Sequence, residues 1–153
     1  MCVYVQNLSS PIGNLVVKSN GSAITDIVLG IYTNENPDKL TQLAVKELSQ
    51  YFDGTLTRFS FTIEPVGTDF QKRVWKILTE IPYGETVSYG DIAEKLGGKR
   101  YSRAVGGAVN KNHVLIAIPC HRVVGADGSL TGFAYGLAVK KHLLNIETKY
   151  KLG

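Results

Sequence analysis

Cysteine is nearly absent from this 153-residue chain, with Cys2 and Cys120 the only two. That is too few for a disulfide scaffold. Neither the cysteines nor the three histidines, His113, His121 and His142, show C-x-x-C or H-x-x-x-H spacing. The sequence therefore offers no metal site. No apolar run is long enough to span a bilayer. The opening residues, MCVYVQNLSS, lack the basic start and sustained apolar core of a signal peptide. Internal repeats and low-complexity tracts are also missing. What remains is ordinary for a globular protein: 44% hydrophobic and 20% charged residues, enough chain for one compact domain or two small ones. The expectation is a soluble cytoplasmic protein that makes no use of a membrane.

Acidic residues are missing from one stretch in particular. From Lys95 to Lys111 there are five basic residues (Lys95, Lys99, Arg100, Arg103 and Lys111) and no acid. Residues 35–53 carry four acids against two lysines. The net charge of +4 thus belongs to the second half of the chain. It leaves acidic partners, nucleic acid among them, open.

Hydrophobic periodicity divides the chain near residue 66. CVYVQNL, GNLVVKS and SAITDIVLGIY read as strands, with Asn20-Gly21 a hairpin turn signal. NPDKLTQLAVKELSQYFDG reads as a helix, with Asn36 as cap, Pro37 in its first turn and Gly54 as stop. RFSFTIE reads as a further strand. The expectation for residues 1–66 is a small α/β domain, a mainly antiparallel sheet with a covering helix.

Residues 67–153 switch to helical period. Thr68 and Gln71 form a capping box ahead of Phe70, Val74, Trp75, Ile77 and Leu78. SYGDIAEKLGG is a short helix capped by Ser88 with Asp91, and YSRAVGGAVNKN is another despite Gly106-Gly107. Paired glycines cost a helix about 1–2 kcal/mol relative to alanine, which close approach of another backbone would offset. GLAVKKHLLNIE is a last amphipathic helix, expected to bury Leu137, Val139, Leu143, Leu144 and Ile146. Two short helices joined by a Gly turn make a helix-turn-helix, which places the start of the second helix, near Arg103, against DNA. An ordinary helical hairpin with a solvated charged face has the same pattern.

The stretch AIPCHRVVG places a thiol, an imidazole and a guanidinium in an otherwise core-like run. Cys120 alone reads as a small buried hydrophobe as readily as a nucleophile. A thiol near its usual pKa of about 8.5 is mostly protonated at neutral pH and needs a base or a positive field. His121 is adjacent, but neighbours in an extended chain point to opposite sides. A link between them would run through water, with a carboxylate orienting the ring. Glu147 is a candidate that spacing alone does not single out. A cysteine hydrolase and a DNA-binding regulator with a merely structural Cys120 both remain open on these residues.

IPCHRVV, with SRAVGGAVNKN upstream and GLAVKKHLLNIE downstream, closely resembles the O-6-alkylguanine-DNA alkyltransferases, or methylated-DNA–protein-cysteine methyltransferases. Motif order and spacing agree from Thr68 to Glu147; residues 1–64 agree only in outline. The resemblance implies a ribonuclease H-like N-terminal domain (1–66) and a winged-helix-like, DNA-binding and alkyl-acceptor domain (67–153). It implies a monomer without cofactor or metal, acting on double-stranded DNA in the cytoplasm and nucleoid, or in the nucleus of a eukaryote. The alkyl group, chiefly methyl, would pass from guanine O-6, with thymine O-4 as an extension, to Cys120 after base flipping, once per protein molecule. His121 and Glu147 would form a water-linked relay. Tyr89 would protonate the purine and crowd the adjoining phosphate. Asn112 would brace the active-site turn. Arg103 would fill the gap in the duplex, with Tyr101, Ser102, Gly106, Lys99 and Arg100 also on the DNA side. Pro119, Val123, Phe133, Ala134 and Tyr135 would line the base pocket. Tyr101 and Ser102 replace the family's usual small residues before the inserted Arg. GFAYG, with Phe133 and Tyr135, departs from the usual lid, which bears on alkyl-group size.

Overall fold

The computed structural model describes residues 3–130 and 133–151. Cys2 and Gly132 lie outside the described residues. The chain divides into two compact units, Met1–Val66 with His113–Ala117, and Gly67–Asn112 with Ile118–Gly153. The excursion at His113–Ala117 was invisible in the sequence, where the whole chain after residue 66 reads as one domain.

The first unit is a three-stranded antiparallel sheet in the order β1 (Tyr4–Ser10), β2 (Gly13–Ser19), β3 (Ile24–Leu29). The middle strand, β2, buries Leu15, Val16 and Val17 in succession. Between β2 and β3, the Asn20 side chain accepts hydrogen bonds from the Ser22 and Ala23 N–H groups, both 2.9 Å. Gly21 there adopts φ 93°, open to glycine without steric cost. Helix α1 (Lys39–Asp53) packs on this sheet.

Two expectations fail in this unit. The cap of α1 is Asp38, not Asn36: its carboxylate accepts from the Thr41 N–H (2.8 Å), and the Asp38 N–H donates to the Thr41 hydroxyl (2.9 Å). RFSFTIE is not a strand. The free edge of β3 is shared between two isolated bridges, Ile24 with Ile63 and Ile27 with Val114, each too short to extend. Phe59 and Phe61 instead cluster with Tyr51, with ring centroids 5.3–5.8 Å apart.

In the second unit, α2 (Asp69–Thr79) has the expected Thr68–Gln71 capping box. Its buried Trp75 donates from Nε1 to the Ala108 carbonyl (2.9 Å). That bond ties α2 to α4 (Ser102–Asn110). Two-residue strands β4 (Val87–Ser88) and β5 (Val123–Val124) pair in parallel. Helix α3 (Tyr89–Lys95) is capped by Ser88 with Asp91 as expected. Gly97 and Gly98, at φ 125° and 141°, turn the chain into a 3-10 turn (Lys99–Tyr101) that leads to α4.

The paired glycines of α4 meet no second backbone. A Cβ at Gly106 would lie 4.0 Å from the Tyr89 ring, and one at Gly107 would meet nothing within 4 Å. Helix α5 (Leu137–Tyr150) corrects another expectation. Lys140, Leu143, Ile146 and Glu147 are buried, whereas Leu137 is 49% exposed and Leu144 half-buried. Its inner face is set by charged groups that find partners there. Among the described residues no helix is long and apolar enough to cross a membrane.

Candidate active site

Two tight turns deliver Cys120. The Ala117 N–H donates to the Leu115 carbonyl (2.8 Å) around Ile116, whose φ is 74°. This is the rare positive-φ γ-turn, strained for a β-branched residue by about 1–3 kcal/mol. The Ile116 side chain is buried, which offsets that cost. The Cys120 N–H then donates to the Ile118 carbonyl (2.8 Å) around Pro119, at φ −80° and ψ 66°, an inverse γ-turn. Proline suits it, since the ring fixes φ and the missing N–H is not needed there. Asn112 closes the excursion by donating from Nδ2 to the Ile118 carbonyl (2.8 Å).

Cys120, His121 and Arg122 form a 3-10 turn, not the extended path assumed from the sequence. All three are buried, His121 at 0% exposure. Burial pushes the Cys120 thiol up to about 11, against lowering contributions from Asn112, the local backbone and Lys140. The resting sulfur is therefore a protonated thiol, hidden in the core and in need of a base.

Glu147 is the carboxylate that the sequence left open. From α5 its Oε2 lies 2.5 Å from His121 Nε2. Arg122 grips the same carboxylate twice, from Nε (2.7 Å) and from the terminal guanidinium (3.1 Å), and anchors its other end on the Ile81 carbonyl (2.7 Å). The Gly84 N–H adds a further bond to Oε1 (3.1 Å). Burial alone would raise the Glu147 carboxyl, but the His121 and Arg122 pairings outweigh it and hold it at about 2.

An ionised Glu147 fixes the His121 tautomer. Nε2 carries the hydrogen and donates it, so Nδ1 keeps its lone pair. Nδ1 is buried and has no hydrogen-bond partner among the described residues. Burial, more than any other cause, lowers the His121 pKa, so the ring is neutral at rest. The site thus holds a neutral base with an open lone pair beside a protonated thiol.

The other expected residues fall into two groups. Asn112, Pro119 and Val123 are buried with the thiol. Phe133 and Tyr135 meet edge to face, with centroids 5.7 Å apart. The Tyr135 hydroxyl donates to the Asn112 carbonyl (3.0 Å), tying this segment to the turn beside Cys120. Ala134 is exposed. Tyr89, at the start of α3, is half-buried against Gly106.

On the outside, Arg103, Ala104, Gly107, Asn110 and Lys111 make an exposed stripe along α4 and its end, with Lys99 and Arg100 exposed just before it. Tyr101 and Ser102 are half-buried. Arg100 stacks on the Tyr101 ring at 5.0 Å.

Three participants escaped the sequence reading: Arg122 as the clamp on Glu147, the Gly84 backbone, and Lys140, which is 0% exposed on α5. Lys140 lies two helical turns before Glu147. That spacing was the available signal, but a lysine in a basic helix reads as solvated.

The family model for the DNA binding domain of 6-O-methylguanine DNA methyltransferase matches residues 69–149. A methylated-DNA–protein-cysteine methyltransferase of Methanosarcina barkeri is 44% identical, over 95% of this chain and 97% of its own. The one from Mycobacterium leprae is 42% identical over 95% and 92%. A crystal structure of Mycobacterium tuberculosis OGT in complex with DNA superposes with a TM-score of 0.88 at 43% identity, covering 96% of this chain and 94% of that one. A buried Cys-His-Arg turn clasped by a helix glutamate, in a chain alike over nearly its whole length, admits one assignment: the chain belongs to the methylated-DNA–protein-cysteine methyltransferase family.

Proposed function

We propose that this protein repairs DNA by taking an alkyl group, chiefly methyl, from the O-6 of guanine onto Cys120. The observation that carries the mechanism is the buried, open lone pair of His121 Nδ1, with Nε2 held by Glu147. Through a bridging water, Nδ1 accepts the thiol proton, and the sulfur attacks the alkyl carbon. The S–C bond forms as the C–O bond breaks, and the electron pair leaves with guanine O-6. The Tyr89 hydroxyl supplies a proton to the departing purine and regains one from solvent. The thioether does not pass its alkyl group on to water, so each molecule acts once. Alkylated thymine O-4 is a secondary donor in the same chemistry.

A guanine inside a stack is out of reach of a buried thiol, so the nucleotide must flip, at a cost of a few kcal/mol. Arg103 enters the duplex and fills the space. Lys99 and Arg100 contact phosphates, and Tyr101, Ser102 and Gly106 form the adjoining surface. Cys120 and Val123 backbone groups hold the base edge, and Pro119, Phe133, Ala134 and Tyr135 enclose the alkyl group. Asn112 braces the turn. In this reading residues 1–66 form a ribonuclease H-like domain, supported by the antiparallel sheet with its covering helix. Residues 67–153, apart from His113–Ala117, form a winged-helix-like domain, supported by the α3–α4 pair. The protein acts as a monomer wherever its DNA lies, in the cytoplasm and nucleoid or in a nucleus.

The test is whole-protein mass after exposure to a duplex carrying labelled methylguanine. The intact chain gains one methyl group per molecule, on Cys120. Cys120→Ala still binds the duplex and gains none. Label on the Cys120→Ala protein, or turnover beyond one equivalent, would sink the assignment.

A further inference from the structure

Lys140 is the buried ionisable group that the relay of Cys120, His121 and Glu147 leaves without a task. It is 0% exposed on the inner face of α5, on the same side as Glu147. Burying an ammonium is costly unless its charge is answered. Its Nζ lies 5.8 Å from the centroid of the Phe133 ring, whose π face favours a cation. Its charge acts on two groups of the 3-10 turn. It lowers the Cys120 thiol and the His121 imidazole, and a charged Cys120 in return raises Lys140.

The polar and titratable groups facing this cluster come from four elements. Lys140 and Glu147 come from α5, and Asn112 from the end of α4. His121 and Arg122 come from the turn itself, and Tyr83 from the segment after α2, where Arg122 stacks on its ring at 5.7 Å. Arg122 is committed to Glu147 through two hydrogen bonds. The named groups therefore include two cations and one carboxylate. A thiolate at Cys120 makes the two signs equal.

We propose that Lys140 is the counterion of the Cys120 thiolate: its buried ammonium, covered by the Phe133 ring, balances the negative charge that the sulfur carries before it attacks. The role deepens the alkyl-acceptor reading and rests on it. His121 takes the proton away, and Lys140 makes the sulfur left behind less costly to hold in the core. Lys140 acts through Cys120 and is a positioning residue, not a catalytic one. Because Phe133 covers the ammonium, the segment that encloses the alkyl group also shields the charge pair from water.

The experiment reads thiolate formation without DNA. The rate of Cys120 alkylation by iodoacetamide is followed against pH in the full chain, in Lys140→Met and in Lys140→Arg. At any pH below the thiol's own pKa, Lys140→Met reacts about tenfold or more slowly, the effect of losing one nearby opposite charge. Lys140→Arg keeps the cation and recovers most of the rate. Lys140→Met reacting as fast as the parent, or Lys140→Arg as slowly as Lys140→Met, overturns the proposal. A second measurement leaves Lys140 in place, so that a folding defect cannot obscure the answer. Nitrogen-15 NMR of the lysine side chains follows Lys140 in the parent and in Cys120→Ala. Without the sulfur, the ammonium titrates about one unit lower or more; an unchanged titration overturns the proposal. Neither readout involves methyl transfer. Failure here leaves the repair reading standing, and failure of methyl transfer from DNA leaves the counterion result intact.

Discussion

At the scale of single residues, the site is governed by how a buried charge is answered. Glu147 is 0% exposed, yet its carboxyl stays ionised because His121, Arg122 and the Gly84 N–H all meet it. Taking away one member strands the other. Arg122→Met removes both guanidinium bonds to Glu147 and the bond to the Ile81 carbonyl. Breaking a buried pair on one side costs about 3–5 kcal/mol, so urea denaturation of Arg122→Met should show a loss of that size. A loss below about 1 kcal/mol, the range of exposed pairs, would mean that the clamp is not structural. The carboxylate partner of His121 could not be read from the sequence. Several acids lie within helical reach of a turn whose own conformation was unknown, and only burial separates Glu147 from the rest.

At the scale of elements, α4 shows why a helix keeps a costly residue. Gly107 lies on the exposed stripe with Arg103 and has open space where a Cβ would go. Nothing among the described residues requires it. Gly107→Ala should therefore raise stability by about 1 kcal/mol, the helix-propensity difference, while weakening binding to duplex DNA. Unchanged affinity would show that this face does not meet the nucleic acid. Arg103, one turn earlier and exposed, should matter only when a duplex has to be opened. Arg103→Ala slows repair of alkylguanine in duplex more than reaction with the free alkylguanine base; equal slowing of both would remove it from base flipping. These helices were legible in advance because their signals are local. Thr68 with Gln71 and Ser88 with Asp91 cap within one turn, and Gly97-Gly98 permits positive φ. RFSFTIE misled for the complementary reason: its β pattern is real, but β3 offers it only the edge beside Ile24.

At the scale of the whole molecule, the buried cluster couples folding to pH. Glu147 titrates at about 2 in the folded chain against an ordinary value of 4.5. Its contribution is complete above the ordinary value and is lost as pH falls toward 2, amounting to roughly 3 kcal/mol. His121 is held below its ordinary value of 6.5. The unfolded chain therefore takes up that proton first, and stability begins to fall as pH drops through 6.5. Chemical denaturation at a series of pH values should show a decline starting near 6.5 and steepening below 4.5. In Glu147→Gln the lower part of that slope should flatten, and an unaltered slope would place the acid sensitivity elsewhere.

The sequence by itself determined the helices, the capping boxes of α2 and α3, the first three strands, the basic stretch before α4, and the Pro-Cys-His-Arg word that marks the nucleophile. Each depends on residues a few positions apart, whose chemistry acts before the chain is folded. Tertiary structure alone decided that His113–Ala117 leaves its neighbours for the other unit, that α5 turns Lys140 and Glu147 inward, and that Arg122 clamps the carboxylate. Those outcomes depend on which charges lose their water together, a property of the packed core that no local pattern carries.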